Sequence, residues 1–385
     1  MRVCIVTTVH PPTDGRIFHR QAVTLASQGH EVFLLHQKGE GEETRDGVSF
    51  IGSEPPPNRA ARAMGARELV KRALALGPDV VHAHDPELLQ PSAKLCRRAR
   101  VAFVYDVHED YVGMIDHKEW IPGPLKPLAK VWVSRQERRY VRRADGVVVA
   151  DRQLAEIFSK LNPNTVVAHN FPPAALFPRP EAGAREEIVY EGSISPVRGA
   201  FIMVELVKRL RERYPRLKLV MIGTIHAKEE QIRRIASEAG EGAVEFEEPV
   251  PYERLHERLA GARLGLCLLK RNRKFLINVP TKIFDYMACG VPYLASDFPN
   301  IRGLVGDVGG RLVDPKKIDE IEKIAAELLK EPETGVALGG RGRWAFEQKY
   351  NWDVESRGLI ALYEKIAKKR GKDLVEGNDP VEGKD

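Results

Sequence analysis

The sequence contains no long apolar run, and this lack excludes one class of protein. None of its apolar stretches approaches the roughly 20 residues that a helix needs to cross a bilayer. The N-terminal stretch MRVCIVTTVHPPTDGR also lacks a secretory pattern, because its short apolar run lies between Arg2 and a His-Pro-Pro loop, without a small-residue cleavage site. We therefore expect a cytoplasmic protein, peripheral on the inner face of the membrane if it meets one.

Cysteine is also scarce, which argues against disulfide scaffolds and zinc sites. The 385 residues include four cysteines, and these are scattered, with no CxxC pair and no ligand-like spacing to histidine. Zinc needs convergent ligands, so we expect buried free thiols and no metal. These cysteines are Cys4, Cys96, Cys267 and Cys289.

The composition and length indicate two folded α/β domains. Apolar residues make up 43% of the chain and charged residues 30%, which is typical of a folded protein. A chain of this length exceeds one ordinary core, and its apolar strand-like runs alternate with amphipathic stretches. We predict an N-terminal domain over 1–170, a Pro-rich hinge over 171–186, a C-terminal domain over 187–350, a helix within 351–370 that returns to the first domain, and a disordered tail over 371–385.

The expected strands are short Val/Ile/Leu-rich runs, typical of parallel sheets that are buried on both faces. In open parallel sheets ligands bind at the carboxyl ends of the strands, so we expect a site in a cleft between the two domains. The predicted strands are Val3–Thr7, Glu31–His36, Asp79–Ala83, Ala102–Asp106, Gly146–Ala150 and Thr165–His169, then Glu187–Tyr190, Lys218–Ile222, Val244–Phe246, Leu264–Leu268 and Tyr293–Ala295.

The second domain opens with YEGSISPVRGA, a strand, a glycine-bearing loop and a helix start. Gly192 allows close approach of the backbone to a ligand, and the helix after Gly199 directs free N–H groups at it. Arg198 adds a cation suited to phosphate, although a plain βα turn with a surface arginine explains the segment equally well. Neither GxGxxG nor a Walker sequence is present.

The stretch NVPTKIFDYMACGVPYLASD is more specific. Pro280 favours a helix start, which places Lys282 in the first turn and Asp285 three residues later on the same side. A lysine beside a phosphate and a carboxylate that accepts ribose hydroxyls suit a nucleoside diphosphate. The alternative is a structural helix with a surface Asp–Lys pair.

These motifs together resemble glycosyltransferase family 4, the retaining nucleotide-sugar transferases with two Rossmann-like domains in the GT-B fold. The resemblance spans nearly the whole chain. It includes HPPTDGRIFHRQAVTLASQGHEV, DVVHAHDPELL, YDVHEDY, RRADGVVVA, AHNFPP, YEGSISPVRG, PTKIFDYMACGVP and FEQKYNWDVESRGLIALYEKI. It implies a doubly wound α/β fold and a hexosyltransferase that uses a nucleotide sugar as co-substrate, UDP- or GDP-linked, with no cofactor.

The resemblance also implies roles for particular residues. It places His108, Arg198 and Lys282 at the reacting centre, with the two cations on the donor diphosphate and Asp285 on the ribose. It adds further donor contacts at Gly192, Ser193, Gly199, Gly223, Asn278 and Thr281. It puts the acceptor side at His10, Asp14, Arg16, His84, Asp85 and Glu109, where capped loops with exposed side chains are the alternative for His10 and Arg16.

Two departures from the family pattern affect the sugar. Ser193 stands where many relatives have arginine, and Ile277 stands where many have a second carboxylate. The implied mechanism retains the anomeric configuration without paired carboxylates: the acceptor hydroxyl attacks on the leaving-phosphate side and the phosphate takes its proton. A nucleotide-sugar 2-epimerase of the same fold and a non-catalytic two-domain binding protein remain alternatives.

One segment is strongly basic. Residues 125–143 carry seven Lys and Arg against Glu137, with Leu125, Leu128, Trp132 and Tyr140 on one helical side. Such a helix suits an anionic membrane surface, and hence a lipid-linked or glycan acceptor, or it packs its apolar side on its own sheet. No nucleic-acid motif accompanies the charge, so nucleic acid is not an expected partner.

Overall fold

The chain folds into two α/β units. The computed structural model describes residues 1–118, 120–179, 186–226 and 228–376. The first unit comprises residues 1–170 and the segment that begins at Glu355, and the second comprises Phe171–Val354. Residues 171–179 of the predicted hinge belong to the second unit, whereas its residues 180–185 lie outside the described residues.

The strands are short and mostly buried. They are β1 Arg2–Val6, β2 Glu31–His36, β3 Gly39–Arg45, β4 Val48–Ser53, β5 Val80–Ala83, β6 Ala102–Val107, β7 Gly146–Val149, β8 Thr165–Val167, β9 Glu187–Glu191, β10 Lys218–Ile222, β11 Val244–Glu247, β12 Leu264–Cys267, β13 Tyr293–Ser296 and β14 Gly310–Val313.

Helices connect most of these strands. A π-helical segment, Ile17–Ala22, leads into α1 Val23–Ser27. The others are α2 Arg59–Ala75, α3 Pro86–Ala99, α4 Tyr111–Met114, α5 Lys126–Val141, α6 Arg152–Phe158, α7 Ala200–Leu210, α8 Glu229–Glu238, α9 Leu255–Leu259, α10 Arg273–Ile277, α11 Lys282–Ala288, α12 Pro299–Val305, α13 Ile318–Lys330, α14 Pro332–Gln348, α15 Trp352–Glu355 and α16 Arg357–Glu376.

The first unit is built on an eight-stranded sheet in the order β3-β4-β2-β1-β5-β6-β7-β8. All neighbouring strands run parallel except β3, which pairs antiparallel with β4. The chain reverses its direction of winding between β1 and β5, so the loops after these two strands flank the switch point. In doubly wound sheets that point is the usual ligand position.

The second unit contains a six-stranded parallel sheet in the order β11-β10-β9-β12-β13-β14. Its switch point lies between β9 and β12, which are direct neighbours. The loop after β9 is the glycine-bearing segment that begins at Gly192. The glycine-bearing loop of the sequence analysis therefore lies at the switch point of the second sheet.

The β3–β4 hairpin is absent from the sequence-based prediction. Residues 39–45 read GEGEETR and are nearly all exposed, so they lack the apolar alternation that predicts a strand. The available clue is the turn, where Asp46 and Gly47 have φ values of 50° and 77°, as in two-residue hairpin turns. Charged residues on this edge strand oppose pairing with another chain.

The expectation of disorder from residue 371 is wrong for its first part. Helix α16 continues to Glu376. Residues 377–385 lie outside the described residues. Residues 371–376 are thus helical, although the polar composition of the whole 371–385 segment indicated disorder.

Helix α16 packs on β7 and β8 of the first unit. Leu359, Leu362 and Tyr363 are buried on its inner face. Gly146 lies directly beneath Leu362, where a Cβ atom would come within 2.8 Å of the leucine methyl groups. The first sheet thus needs the C-terminal helix as a cover.

Leu362→Ala should destabilise the first unit by about 2–5 kcal/mol, because it removes a fully packed side chain and leaves a cavity. The control is Met64→Ala on α2, since the Met64 side chain is 75% exposed. Urea unfolding followed by circular dichroism measures both variants. Equal midpoints for the two variants would contradict this packing role.

Candidate functional site

The loop after β9 in the second unit depends on two glycines. Gly192 has φ 104° and Gly223, which follows β10, has φ 142°. Gly192 N donates to Ile222 O at 2.9 Å, and a Cβ on Gly223 would collide with the Gly192 carbonyl. The two loops lie backbone against backbone, which side chains at these positions would prevent.

Lys282 reaches this loop from α11. Its side chain is buried, with 3% exposure, and its Nζ lies 5.0 Å from the ring centre of Tyr190. A Cβ on Gly192 would lie 3.5 Å from the same Nζ. Tyr190 is held in place because its hydroxyl donates to the Ser193 carbonyl at 2.6 Å. The ammonium group therefore stands directly beside the glycine loop.

Lys282 has no ion pair or hydrogen bond to any residue that the structure describes. Burial disfavours its charge, but the phenol of Tyr190 and the carboxylate of Glu191 outweigh burial and raise the pKa of Lys282. Arg198 lies close enough to oppose this increase, and its guanidinium sits 5.7 Å from the Phe275 ring centre. Within the described ranges Arg198 also has no carboxylate partner. Two neighbouring cations that form no ion pair with any described residue make this loop a place for an anion.

The other predicted donor residues surround this loop or lie on α11. Gly199 has φ 88° immediately before α7, and a Cβ there would collide with the Leu268 carbonyl. Asp285 is buried and accepts a hydrogen bond from the Tyr252 hydroxyl at 3.2 Å. Asn278 and Thr281 occupy the half-buried turn between α10 and α11.

In the first unit, four polar side chains share one face of the sheet. His82 and His84 are two residues apart on and after β5, and Asp106 and His108 are two apart on and after β6, so each pair points the same way. The register pairs His82 with Val104 and Ala83 with Tyr105, which brings His84 next to Asp106. His82 and Asp106 were missed from the sequence, although the alternation in VVHAHD and YDVHED carries the clue.

Arg16 neutralises Asp106 at the centre of this face. Its Nη2 donates to Asp106 Oδ1 at 2.8 Å, and its Nη1 donates to Asn170 Oδ1 at 2.8 Å. Burial favours the neutral carboxyl, but Arg16 outweighs it and holds the pKa of Asp106 far below its usual range. Gln21 also donates to this carboxylate. Arg16 immediately precedes the π-helical segment, and Gln21 lies within it.

His10 and His108 lie at the more open end of the same face. Their ring centres are 4.7 Å apart, and the His108 side chain is 13% exposed. His10 Nδ1 lies 3.3 Å from Asp14 Oδ2, and its Nε2 lies 3.6 Å from Asp85 Oδ1. Burial disfavours a charged His10, but Asp14 and Asp85 outweigh it and raise its pKa, whereas burial lowers the pKa of His108 despite Asp106.

The predicted acceptor residues therefore divide into two groups. His10 and Asp14 are partly accessible, and Glu109 is half-exposed and close enough to influence the pKa of Tyr111. The other three, Arg16, His84 and Asp85, are buried.

Asp85 is tied down by hydrogen bonds from within the unit. It accepts from Thr7 Oγ1 at 2.8 Å and from Thr8 N at 2.6 Å. This burial and these internal partners favour a supporting role for Arg16, His84 and Asp85 over the direct acceptor contact expected from the sequence.

One grouping among the described residues has the composition of a metal site. His82, His84 and Asp106 each bring one ligand atom within 4.8 Å of the others. The guanidinium of Arg16 already supplies a positive charge to Asp106, and a divalent cation would have to bind beside it. This electrostatic repulsion makes the cluster a poor metal site.

Comparison with known proteins identifies the family. Residues 15–174 match the model of the "Glycosyl transferase 4-like domain" and residues 175–343 match "Glycosyl transferases group 1". The chain belongs to the family 4 glycosyltransferases. The resemblance seen in the sequence and the assignment to a glycosyltransferase enzyme are thereby confirmed.

Individual relatives are distant, and they match either nearly the whole chain or about two thirds of it. Glycogen synthase of Mycobacterium tuberculosis is 22% identical over 99% of this chain and 98% of its own length. A GDP-mannose-dependent alpha-(1-6)-phosphatidylinositol monomannoside mannosyltransferase of Mycolicibacterium smegmatis is 27% identical over 63% of this chain and 66% of its own length.

Solved structures confirm the GT-B fold. Sucrose-phosphate synthase of Thermosynechococcus elongatus superposes with a TM-score of 0.74 at 18% identity, covering 96% of this chain and 99% of that one. HepE of Anabaena, solved with UDP-glucose, gives a TM-score of 0.66 at 14% identity over 97% and 100% of the two chains.

None of the helices in the described ranges combines the length and apolar character needed to span a bilayer.

The buried histidines predict a loss of stability in acid. Burial lowers the pKa of His82 from 6.5 to about 4. Between these pH values the unfolded chain binds a proton at His82 that the folded chain does not, so the free energy of unfolding falls as pH falls. The full contribution is about 3 kcal/mol. In His82→Leu this part of the pH dependence should disappear.

Urea unfolding at about pH 7 and about pH 4.5 measures the effect. His226→Leu is the control, because His226 is exposed. If His82→Leu and His226→Leu lose the same stability on acidification as the unsubstituted protein, His82 does not titrate as stated.

Proposed function

We propose that this glycosyltransferase moves a hexosyl group from a nucleoside-diphosphate sugar to a hydroxyl of a glycan or lipid-linked acceptor, with retention of the anomeric configuration and without a metal ion. The observation that carries the proposal is the buried Lys282 beside Gly192, with Arg198 nearby and, in the part of the chain that the structure describes, no carboxylate in an ion pair with either. A diphosphate supplies the missing negative charge.

The same cations support catalysis without a metal. In the transfer, the bond between the sugar anomeric carbon and the phosphate oxygen breaks, and the acceptor oxygen bonds to that carbon on the same face. The acceptor proton passes to the departing phosphate. Lys282, Arg198 and the N–H groups at the start of α7 stabilise the charge that develops on the diphosphate, which is the task a divalent cation performs elsewhere.

The remaining donor contacts follow from the surroundings of α11. Asp285 accepts the ribose hydroxyls, and Tyr252 fixes the orientation of its carboxylate. HepE in complex with UDP-glucose and the GDP-mannose-dependent relatives support a UDP- or GDP-linked hexose as donor. Ser193 and Ile277 leave the sugar itself to contacts from Asn278 and Thr281.

His108 is the side chain of the first unit that we place at the transferred sugar and its phosphate. It follows β6 at the carboxyl edge of the sheet and keeps part of its ring accessible. His10, Asp14 and Glu109 form the acceptor side. Arg16, His84 and Asp85 support these residues from beneath.

Lys282→Met should weaken binding of the correct nucleoside diphosphate at least about 30-fold, because the variant removes one partner of a buried charge pair and keeps the volume of the side chain. Arg198→Ala should also weaken binding of this nucleoside diphosphate. Calorimetric titration of UDP, GDP and ADP, each with magnesium and with EDTA, measures the affinities. Lys208→Ala is the control, since Lys208 is exposed on α7.

Binding that needs magnesium would contradict metal independence. Equal affinity in Lys282→Met and Lys208→Ala would contradict the assigned site. A donor sugar that is epimerised but stays on its nucleotide would identify a 2-epimerase in place of a transferase.

We further propose that the α5 region lies on an anionic membrane surface, which places the enzyme at the inner face of the cytoplasmic membrane. The structure separates the apolar residues of this region: Tyr140 is buried, but Leu128 is 68% exposed and Trp132 is 64% exposed. Packing on the sheet therefore accounts for the C-terminal end of α5 alone. Trp120, Leu125 and Val131 are also exposed.

The α5 region is positively charged in addition to exposing apolar side chains. Residues 125–143 carry a surplus of six positive charges, from seven Lys and Arg less Glu137. Near an anionic leaflet each such charge contributes about 1 kcal/mol. Exposed Trp and Leu beside this charge are typical of a helix that lies at the level of the lipid headgroups.

The double variant Leu128→Ser/Trp132→Ser should bind vesicles of phosphatidylglycerol and phosphatidylcholine at least about tenfold more weakly, because each side chain contributes about 1.5–3 kcal/mol when it leaves water. Flotation measures binding. Met64→Ser is matched for exposure and should float like the unsubstituted protein. Association with pure phosphatidylcholine at equal strength, or none with anionic vesicles, would contradict the proposal.

A further inference from the structure

His84 joins the carboxylate of Asp106 to the ring of His108. Its Nδ1 lies 3.1 Å from His108 Nε2 and 3.5 Å from Asp106 Oδ2. The His84 ring is fully buried, and its Nε2 has no partner among the described residues. His84 thus touches His108 from the inside of the unit.

Two neutral imidazoles that face each other share one proton, so one ring donates and the other accepts. Burial lowers the pKa of both His84 and His108, which favours the neutral form of each ring. The shared proton is therefore bonded either to His84 Nδ1 or to His108 Nε2.

Asp106 decides the direction. An ionised carboxylate attracts an N–H and repels a nitrogen lone pair, and its Oδ2 lies 3.5 Å from His84 Nδ1. His108 Nε2 is farther from the carboxylate, 3.8 Å from Oδ1, and since both carboxylate oxygens already accept from Arg16 or Gln21, the shorter distance to His84 Nδ1 decides. The proton therefore belongs on His84 Nδ1. The opposite arrangement would also place an N–H on the buried, unpartnered Nε2 of His84, which is costly.

The protonation of His108 follows. If its Nε2 accepts from His84, the neutral ring carries its proton on Nδ1. His108 Nδ1 has no hydrogen-bond partner within the described residues, and the ring is partly accessible. The surrounding charged and titratable groups are His10, Asp14, Arg16, His84 and Asp106.

We propose that His84 is a positioning residue that fixes His108 in the Nδ1–H form, so that His108 donates a neutral hydrogen bond to an oxygen of the bound ligand. This inference rests on the proposed function only in naming that ligand as the sugar donor. A neutral donor suits an oxygen whose negative charge increases during the reaction. The tautomer itself is a property of the first unit and can be measured without substrate.

The tautomer test uses the full-length protein with 15N-labelled histidine. Two-bond correlation spectra distinguish Nδ1–H from Nε2–H, and a His108→Gln sample assigns the His108 signals. We expect Nδ1–H in the unsubstituted protein. His84→Asn should keep it, because the amide nitrogen of asparagine takes the place of Nδ1 as donor. His84→Leu offers no donor, and His108 should change to the Nε2–H form.

An Nε2–H form of His108 in the unsubstituted protein would overturn the proposal, as would one unchanged tautomer in all three proteins. These readings do not depend on the donor, the acceptor or any activity. They remain decisive even if no nucleotide binds.

The kinetic test follows transfer with the donor that the unsubstituted protein accepts. His84→Leu should lower kcat/KM at least about tenfold, as the loss of an orienting partner does elsewhere. It should also move the pH profile on its acid side, and His84→Asn should recover most of the loss. Thermal unfolding of both variants checks that they fold. Equal kcat/KM and equal pH profiles in His84→Leu and the unsubstituted protein would overturn the positioning role.

Discussion

A buried ammonium group that forms no ion pair with any described residue is the feature on which the proposed function depends. Removal of a charge from water is costly unless a partner compensates. At Lys282 the fold provides a phenol ring, the glycine-bearing loop and a second cation, and among the described residues no carboxylate forms an ion pair with it. Because Gly192 and Gly223 have no side chains, their two loops pack closely and the Lys282 ammonium group lies against the backbone at Gly192. In the proposed function, a ligand diphosphate supplies the negative charge.

The first unit handles its charges in the opposite way. Asp106 is fully buried on β6, and hydrogen bonds from Arg16 and Gln21 within the same unit satisfy its carboxylate. This internal ion pair fixes the polar face on which the histidines stand. In the second unit the charge of Lys282 is therefore left for a ligand to pair with. In the first unit the charge of Asp106 is paired with Arg16, and this ion pair sets the geometry around His108.

The sequence predicted the parallel strands other than β4 and β14, together with the loops that follow them, because continuous Val/Ile runs and glycine turns are local features. Helix spacing also predicted Lys282 and Asp285 as site residues, and the family resemblance predicted His108; these three roles stay predictions. The sequence did not predict His82 and Asp106, since their importance arises from the register of two strands. It left open the exposure of Trp132, which depends on what the fold places opposite α5, and it missed the charged β3 strand because that edge has no apolar alternation.

A crystal structure with bound UDP or GDP, grown in EDTA, tests the central claim most directly. Diphosphate oxygens should lie about 3 Å from Lys282 Nζ and from the Arg198 guanidinium, with the ribose hydroxyls at Asp285. A nucleotide bound elsewhere on the second unit, with Lys282 still without an anionic partner, would contradict the assignment of this loop as the donor site.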